Sequence, residues 1–180
     1  VGVIVNSVPS APAVPSASVF YCKNDTADPL TATTSTSGTL NWYLVAPGGV
    51  GSANPPIIDT SLVGTNTYYV SETNNLGCES LRTAITVTIA DIPSTPTLGT
   101  VTNSSCFVPT GSVELSDLPA GNWTITNITD GTAYSSNTSS YTVSGLNPGT
   151  YSFSVSNNQS CESLVTNSIT IDPVPVLSAP

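Results

Sequence analysis

The chain has 180 residues, with Lys23 and Arg82 as its only bases against eleven acids, for a formal net charge of −9. That balance excludes nucleic acid, whose phosphates need clustered Lys and Arg, and it is repelled by anionic membranes and lipopolysaccharide. With no histidine and one lysine, the Ser-His and Ser-Lys arrangements of nucleophilic catalysis are out of reach.

In chain order, Val3-Ile4-Val5-Asn6-Ser7-Val8 is an alternating β-branched stretch that runs into a proline-punctuated connector, Pro9-Ser10-Ala11-Pro12. The same pattern returns at Val87-Thr88-Ile89-Ala90-Asp91-Ile92-Pro93 and begins a third time at Ile169-Thr170-Ile171 ahead of Asp172-Pro173. The repeat assigns 1–8 to the closing strand of a preceding repeat, 9–92 to a first module, 93–173 to a second, and 174–180 to a linker toward the next. No apolar run reaches the length of a membrane span, and no signal-peptide pattern opens the chain. Methionine is absent, so the sequence reads as part of a longer polypeptide.

Within the first module, strands are expected at Val19–Cys22, Leu30–Thr33, Leu40–Leu44, Thr67–Glu72 and Ser80–Ile89. The second offers Gly111–Leu115, Asn122–Thr126, Ser140–Val143, Thr150–Val155 and Ser163–Ile171. These runs are rich in Val, Ile, Thr and aromatic residues, with turns of Gly, Pro, Asn and Asp between them and no helical periodicity. They predict an all-β chain of tandem immunoglobulin-like β-sandwich modules, seven strands each, in a repeat array.

Each module carries two cysteines, Cys22 and Cys78 in the first and Cys106 and Cys161 in the second. The second member sits in similar text, Gly77-Cys78-Glu79-Ser80-Leu81 and Ser160-Cys161-Glu162-Ser163-Leu164. An even count without CxxC or histidine predicts disulfides and an oxidising, extracellular location. Four cysteines allow three pairings, and the repeat favours 22 with 78 and 106 with 161. Each bridge would tie the start of a module to its final hairpin, limit its extension under load and add about 4 kcal/mol.

The acids stand singly in turns, without a marked carboxylate pair, so no enzyme activity and no cofactor is expected. Asp91 and Asp172 occupy equivalent connectors but lack the alternating acidic ligands of a calcium loop, and no metal site is assigned. Trp42 and Trp123 are expected as core aromatics, with Tyr43 and Tyr68 on the exposed faces of their strands. A Lys-Asn isopeptide fails because the second module has no lysine.

The strings Leu40-Asn41-Trp42-Tyr43, Thr67-Tyr68-Tyr69-Val70-Ser71-Glu72 and Leu146-Asn147-Pro148-Gly149-Thr150-Tyr151 resemble the Ig-like repeats of giant Bacteroidota cell-surface adhesins exported by the type 9 secretion system, the SprB-like gliding-motility adhesins among them. The resemblance implies a long filament attached at the outer membrane, with neighbouring Ig-like repeats of the same chain as partners and a surface polysaccharide or substratum as the adhesive target. It also marks Thr26, in Asp25-Thr26-Ala27, as an O-glycosylation position. The competing reading is a carbohydrate-binding or spacer module of a secreted polysaccharide-degrading enzyme, which requires an exposed row of planar aromatics.

Overall fold

The computed structural model describes residues 6–174. The strand expected over 1–8 and the linker expected over 174–180 lie mostly outside the described residues. All regular structure within them is β, and the chain divides into two compact units, Val1–Ala90 and Asp91–Pro180.

In the first unit β1 (Ser18–Cys22), β2 (Thr39–Tyr43), β3 (Gly64–Thr73) and β4 (Thr83–Ala90) form one sheet in the order β1-β4-β3-β2. β4 turns Ile85, Val87 and Ile89 inward, the period-two pattern of a half-buried strand. β1 runs parallel to it, with Cys22 opposite Ala90. β3 is long because it serves two partners: Gly64–Val70 pairs with β4 and Tyr69–Thr73 with β2. Leu30, Trp42, Val70, Ile85, Val87 and Ile89 make the core, covered by Val14, Ala32, Ile58 and Tyr68 among others.

The second unit contains β5 (Thr97–Thr102), β6 (Gly111–Ser116), β7 (Trp123–Asn127), β8 (Ala133–Ser136), β9 (Ser140–Leu146), β10 (Gly149–Tyr151), β11 (Phe153–Ser156) and β12 (Ile169–Ile171). They form sheets β5-β6-β9 and β11-β7-β8, with β10-β12 as a third pair. The long strand expected over Thr150–Val155 is interrupted at Ser152; its first part pairs with β12 and its second with β7. Val113, Leu115, Ile125, Val143, Phe153, Val155 and Ile171 fill the space between the layers. Trp123 stands edge-on to Tyr141, with centroids 5.6 Å apart, and donates its Nε1 hydrogen to the Thr138 carbonyl at 2.7 Å.

Among the described residues, four strands in one unit and eight in the other stand where seven in each are expected. β5 and β8 escape sequence reading because β5 is a mostly exposed strand with Gly99 inside it, and β8 (Ala133-Tyr134-Ser135-Ser136) has no β-branched residue. The strand expected at Leu30–Thr33 is reduced to a bridge between Ala13 and Thr33. The last strands are shorter than expected because side chains replace the ladder. The Ser163 hydroxyl accepts from Val155 N at 3.0 Å, and the Thr166 hydroxyl accepts from Phe153 N at 3.0 Å.

Glu72, on β3, is fully buried. An uncompensated carboxylate there would undo a core of only six buried apolar side chains, each contributing about 1.5–3 kcal/mol. The loop before β2 compensates it. Ser35 donates through its N–H (2.6 Å) and hydroxyl (2.9 Å), Thr36 through its N–H (2.9 Å) and hydroxyl, and Gly38 through its N–H (3.3 Å). Burial pushes the Glu72 carboxyl up, but the donations from Thr36 and Ser35 outweigh it and hold it at about 2, down from 4.5. With its folded value depressed, Glu72 contributes fully above pH 4.5 and loses that contribution as the pH falls toward 2. Calorimetry of Glu72→Gln against the native chain is expected to show a melting-temperature gap at pH 7 that narrows toward pH 2. An equal gap at both pH values would mean that the charge is not what anchors the loop.

Candidate functional site: the two cysteine ends of each module

The repeated text around Cys78 and Cys161 folds into the same turn twice. The Asn74 side-chain oxygen accepts from Leu76 N (3.0 Å) and Cys78 N (2.9 Å), and that of Asn157 accepts from Gln159 N and Cys161 N, both at 3.0 Å. The opposite side of each carboxamide, Nδ2, donates to a connector carbonyl: Ser7 O for Asn74 and Asp91 O for Asn157, both at 3.0 Å. Each second cysteine is thereby held at the end where its own module begins.

The Glu and Ser that follow complete the turn. Ser80 and Ser163 each pair through backbone N–H with the strand beside them and accept a backbone N–H in return. Glu79 accepts from the Ser71 hydroxyl at 2.5 Å, and Glu162 from the Ser154 hydroxyl at 2.5 Å; both serines are buried. In the first module Tyr43 also donates to Glu79 at 2.5 Å. Donation from Ser71 and Tyr43, with the charge of Arg82 nearby, holds the Glu79 carboxyl below the usual carboxylate range.

The first cysteine of each module lies at the other end. Cys22 stands opposite Ala90, the last residue of its unit, and Lys23 N donates to Ala90 O at 2.9 Å. Gly64 pairs with Ile89 at this end, whereas Thr73, nine positions along β3, bridges Glu79 beside Cys78. A strand of that length spans about 30 Å, and a disulfide needs Cα atoms within about 7 Å. In the second module Cys106 follows Asn103 and Ser104, which clamp Asp172 just beyond β12. There Gly149 pairs with Ile171, while Ser156 bridges Glu162 beside Cys161, seven positions and about 23 Å along the bent strand.

The pairing that the repeat favours, 22 with 78 and 106 with 161, is therefore corrected. Cys78 and Cys106 are free thiols, and Cys22 and Cys161 are in disulfide linkage. The cause is the parallel run of β1 along β4, which carries Cys22 away from the hairpin tip. A bridge that limits extension within a module is absent.

Trp42 and Trp123 are both buried in their cores. Tyr43, expected to be exposed, is buried: the Arg82 guanidinium carbon lies 3.3 Å from its ring centroid, fixed there by Nη1 donation to the carbonyls of Val45, Ala46 and Gly48. Tyr68 packs half-buried against the core. Arg82 thus covers one face of Tyr43, while Trp42, Tyr43 and Tyr68 also line a cavity with Pro55 and Pro56. Phe20 and Phe107 are the exposed aromatics, 61% and 96% accessible, and they stand singly. Asp172 takes the Asn103 side-chain N–H at 2.8 Å, and no cluster of three metal-ligating side chains occurs among the described residues. Thr26 is exposed, just past a turn in which Asn24 has φ 67° and Asp25 accepts from Cys22 N at 2.9 Å.

Residues 9–90 match the family described as Ig-like domain, CHU_C associated. No curated protein matches the chain. Among solved structures, the fibronectin(III)-like modules of CbhA from Clostridium thermocellum are similar over 89% of this chain and 93% of theirs, at 15% identity and a TM-score of 0.47. The D00-D0 domain of intimin is similar over 89% of this chain and 98% of its own, at 11% identity and a TM-score of 0.37. SGBP-B of the Bacteroides ovatus mixed-linkage glucan utilization locus, solved with a mixed-linkage heptasaccharide, is similar over 94% of this chain and 48% of its own, at 15% identity and a TM-score of 0.33. The match to an Ig-like domain thus lies within the first unit, and the regular structure of the described residues of both units is all β.

The turn itself is testable, because Gly77 (φ 81°) and Ser160 (φ 64°) hold the same left-handed position. Nothing lies within 4 Å of a Cβ built on Gly77, so Gly77→Ala meets a purely conformational cost of about 1–2 kcal/mol. Ser160→Gly should stabilise the second module by up to about 1 kcal/mol, since glycine adopts this conformation without strain. Each module has one tryptophan, so denaturant unfolding followed in Trp42→Phe and Trp123→Phe backgrounds assigns each effect. A destabilising Ser160→Gly would show that the serine side chain, not its backbone, matters there.

Proposed function

We propose that the chain is a non-catalytic structural and adhesive segment of a very large cell-surface filament, in which successive Ig-like modules supply reach and repeated display. The observation that carries this reading is the polarity of the module. The same Asn-Cys-Glu-Ser turn binds the incoming connector in both copies, at Ser7 and at Asp91, while β4 and β12 deliver the chain to the opposite end. A unit that receives the chain at one end and releases it at the other extends an array with each copy, in the way solenoid repeats do. The acidic, Ser- and Thr-rich surface suits a filament that must not adhere to its neighbours.

On this reading the parent is a SprB-like gliding-motility adhesin, exported by the type 9 route and attached at the outer membrane. Its repeats contact one another and present their distal end to a polysaccharide or substratum. Thr26 is its O-glycosylation position, in an exposed loop that a transferase can reach. The alternative is a sugar-binding or spacer accessory of a secreted hydrolase; it requires an exposed row of planar aromatics, whereas the exposed aromatics Phe20 and Phe107 stand singly and Arg82 covers one face of Tyr43.

Antibodies to this chain are expected to label intact producing cells along extended surface structures and to detect a polypeptide many times longer than 180 residues. Detection instead of a released, enzyme-sized protein with polysaccharide hydrolase activity, together with binding of the purified chain on a glycan array, would overturn the filament.

A further inference from the structure

We propose that the second module carries a binding site for a neutral oligosaccharide, a cleft on the outer face of the β11-β7-β8 sheet. The site deepens the adhesive reading above, on which it rests for its role at the cell surface, by naming where the module meets a polysaccharide and of which class.

Strand pairing builds the floor. β7 turns Trp123 and Ile125 into the core, so Thr124 between them faces outward. Register sets Ser156 of β11 and Ser135 of β8 on either side of it, and the three hydroxyls stand in one row, about 4.8 Å from strand to strand. Thr124 and Ser135 share a hydrogen bond between their hydroxyls at 3.0 Å, and Ser156 donates to the Thr124 carbonyl at 3.3 Å. Those bonds fix the row and use two of its hydroxyl hydrogens, leaving one hydrogen and lone pairs on all three oxygens for a ligand.

Three carboxamides ring that floor. Asn122 precedes β7, Asn137 follows β8 and Asn158 lies in the turn after β11, so each comes from a different loop. All three residues are exposed, and the fold of this unit uses the carboxamides of Asn103, Asn127 and Asn157 instead. Floor and ring line a cleft of about 560 Å³ wholly within the second unit, a size that suits a small ligand.

The chemistry of the lining selects that ligand. No residue of it is charged, so an ion entering the cleft would give up water without gaining a counter-charge. The net charge of −9 repels acidic sugars further. Hydroxyls and carboxamides both donate and accept, and so do the hydroxyls of a sugar, whereas an apolar ligand would leave these groups without partners. Trp123 is buried, so its ring offers no face for stacking and recognition rests on hydrogen bonds. Each of them replaces a bond to water, and a single site is therefore weak, with a Kd on the order of millimolar. A chain that carries the cleft in many repeats gains about 10²–10⁴ in avidity.

The intact chain, labelled with nitrogen-15, is titrated with cellohexaose, maltohexaose and mannohexaose as neutral probes and with hexagalacturonate as the acidic one, and its amide resonances are followed by NMR. At least one neutral probe is expected to move the side-chain amides of Asn122, Asn137 and Asn158 and the backbone of 122–124, 135–137 and 156–160, while hexagalacturonate moves none of them. In the triple variant Asn122→Ala, Asn137→Ala, Asn158→Ala, affinity is expected to fall by about tenfold or more with the unfolding midpoint unchanged. Silence with every neutral probe, equal shifts with hexagalacturonate, shifts centred on the Trp42–Tyr68 cavity of the first module, or full binding by the triple variant overturns the proposal. If that variant fails to fold, the shift map on the native chain decides alone. Silence in this titration leaves the surface labelling expected of a filament untouched, and a released enzyme would refute the filament while leaving the map in place, so the two failures are distinguishable.

Discussion

The carboxamide of one asparagine in each module, Asn74 and Asn157, organises the end where the module begins. Its oxygen takes two backbone N–H groups of the tight turn, and its nitrogen reaches the carbonyl of the incoming connector. Those groups lie where strand pairing has stopped, and for the part-buried Cys78 and Cys161 N–H groups the lack of a partner would be costly. Because the asparagine satisfies three of them at once, the turn closes in a single way. The cysteine, glutamate and serine that follow then have no choice of position. The glutamate meets the buried hydroxyl of Ser71 or Ser154, and the serine hydroxyl takes over one rung of the ladder.

Around that shared end the two modules solve the burial problem differently. The first has a single four-stranded sheet and a small core, and it ties down the loop before β2 by surrounding the Glu72 carboxylate with donors. The second has packed layers and a larger core; at the corresponding place, where the serine of the turn pairs with the strand, it carries Val155. A charged anchor suits a module short of apolar area, whereas one with two layers gains more by burying another valine. The Tyr43–Arg82–Glu79 group belongs to the first solution, on a four-stranded sheet against which the described residues set no second sheet. Val165 stands where Arg82 would fall in the second module, so that group is not repeated.

The resulting module is directional. Its leading end is built of side-chain hydrogen bonds to the connector, and its trailing end of strand termini, with one cysteine at each. Antibody domains place their bridge across the middle of the core, where it stabilises one domain. Cysteines at opposite ends of a module serve no such purpose. Stability within each module then rests on packing and on the hydrogen-bonded turn alone.

Duplication, an all-β composition, turn positions and the tryptophans as large strand aromatics were all readable from the sequence, because each is a local pattern of residue types or a comparison of one segment with another. The position of Cys78 and Cys161 at a hairpin tip was equally legible from Asn74-Asn75-Leu76-Gly77 and its counterpart. The direction of β1 was not. A strand has the same alternation whether it pairs parallel or antiparallel, and that one choice moves Cys22 from beside Cys78 to the far end of β4. Tyr43 was misplaced for a similar reason: alternation puts its ring on the outer face, but Arg82, 39 positions later, covers it. β5 and β8 exist only because β6 and β7 offer them edges to pair with. The sequence by itself determined which residues are equivalent and what local structure they adopt. The tertiary structure decided which ends they occupy and what covers them, since strand direction and long-range contact depend on pairing between segments that no local pattern records.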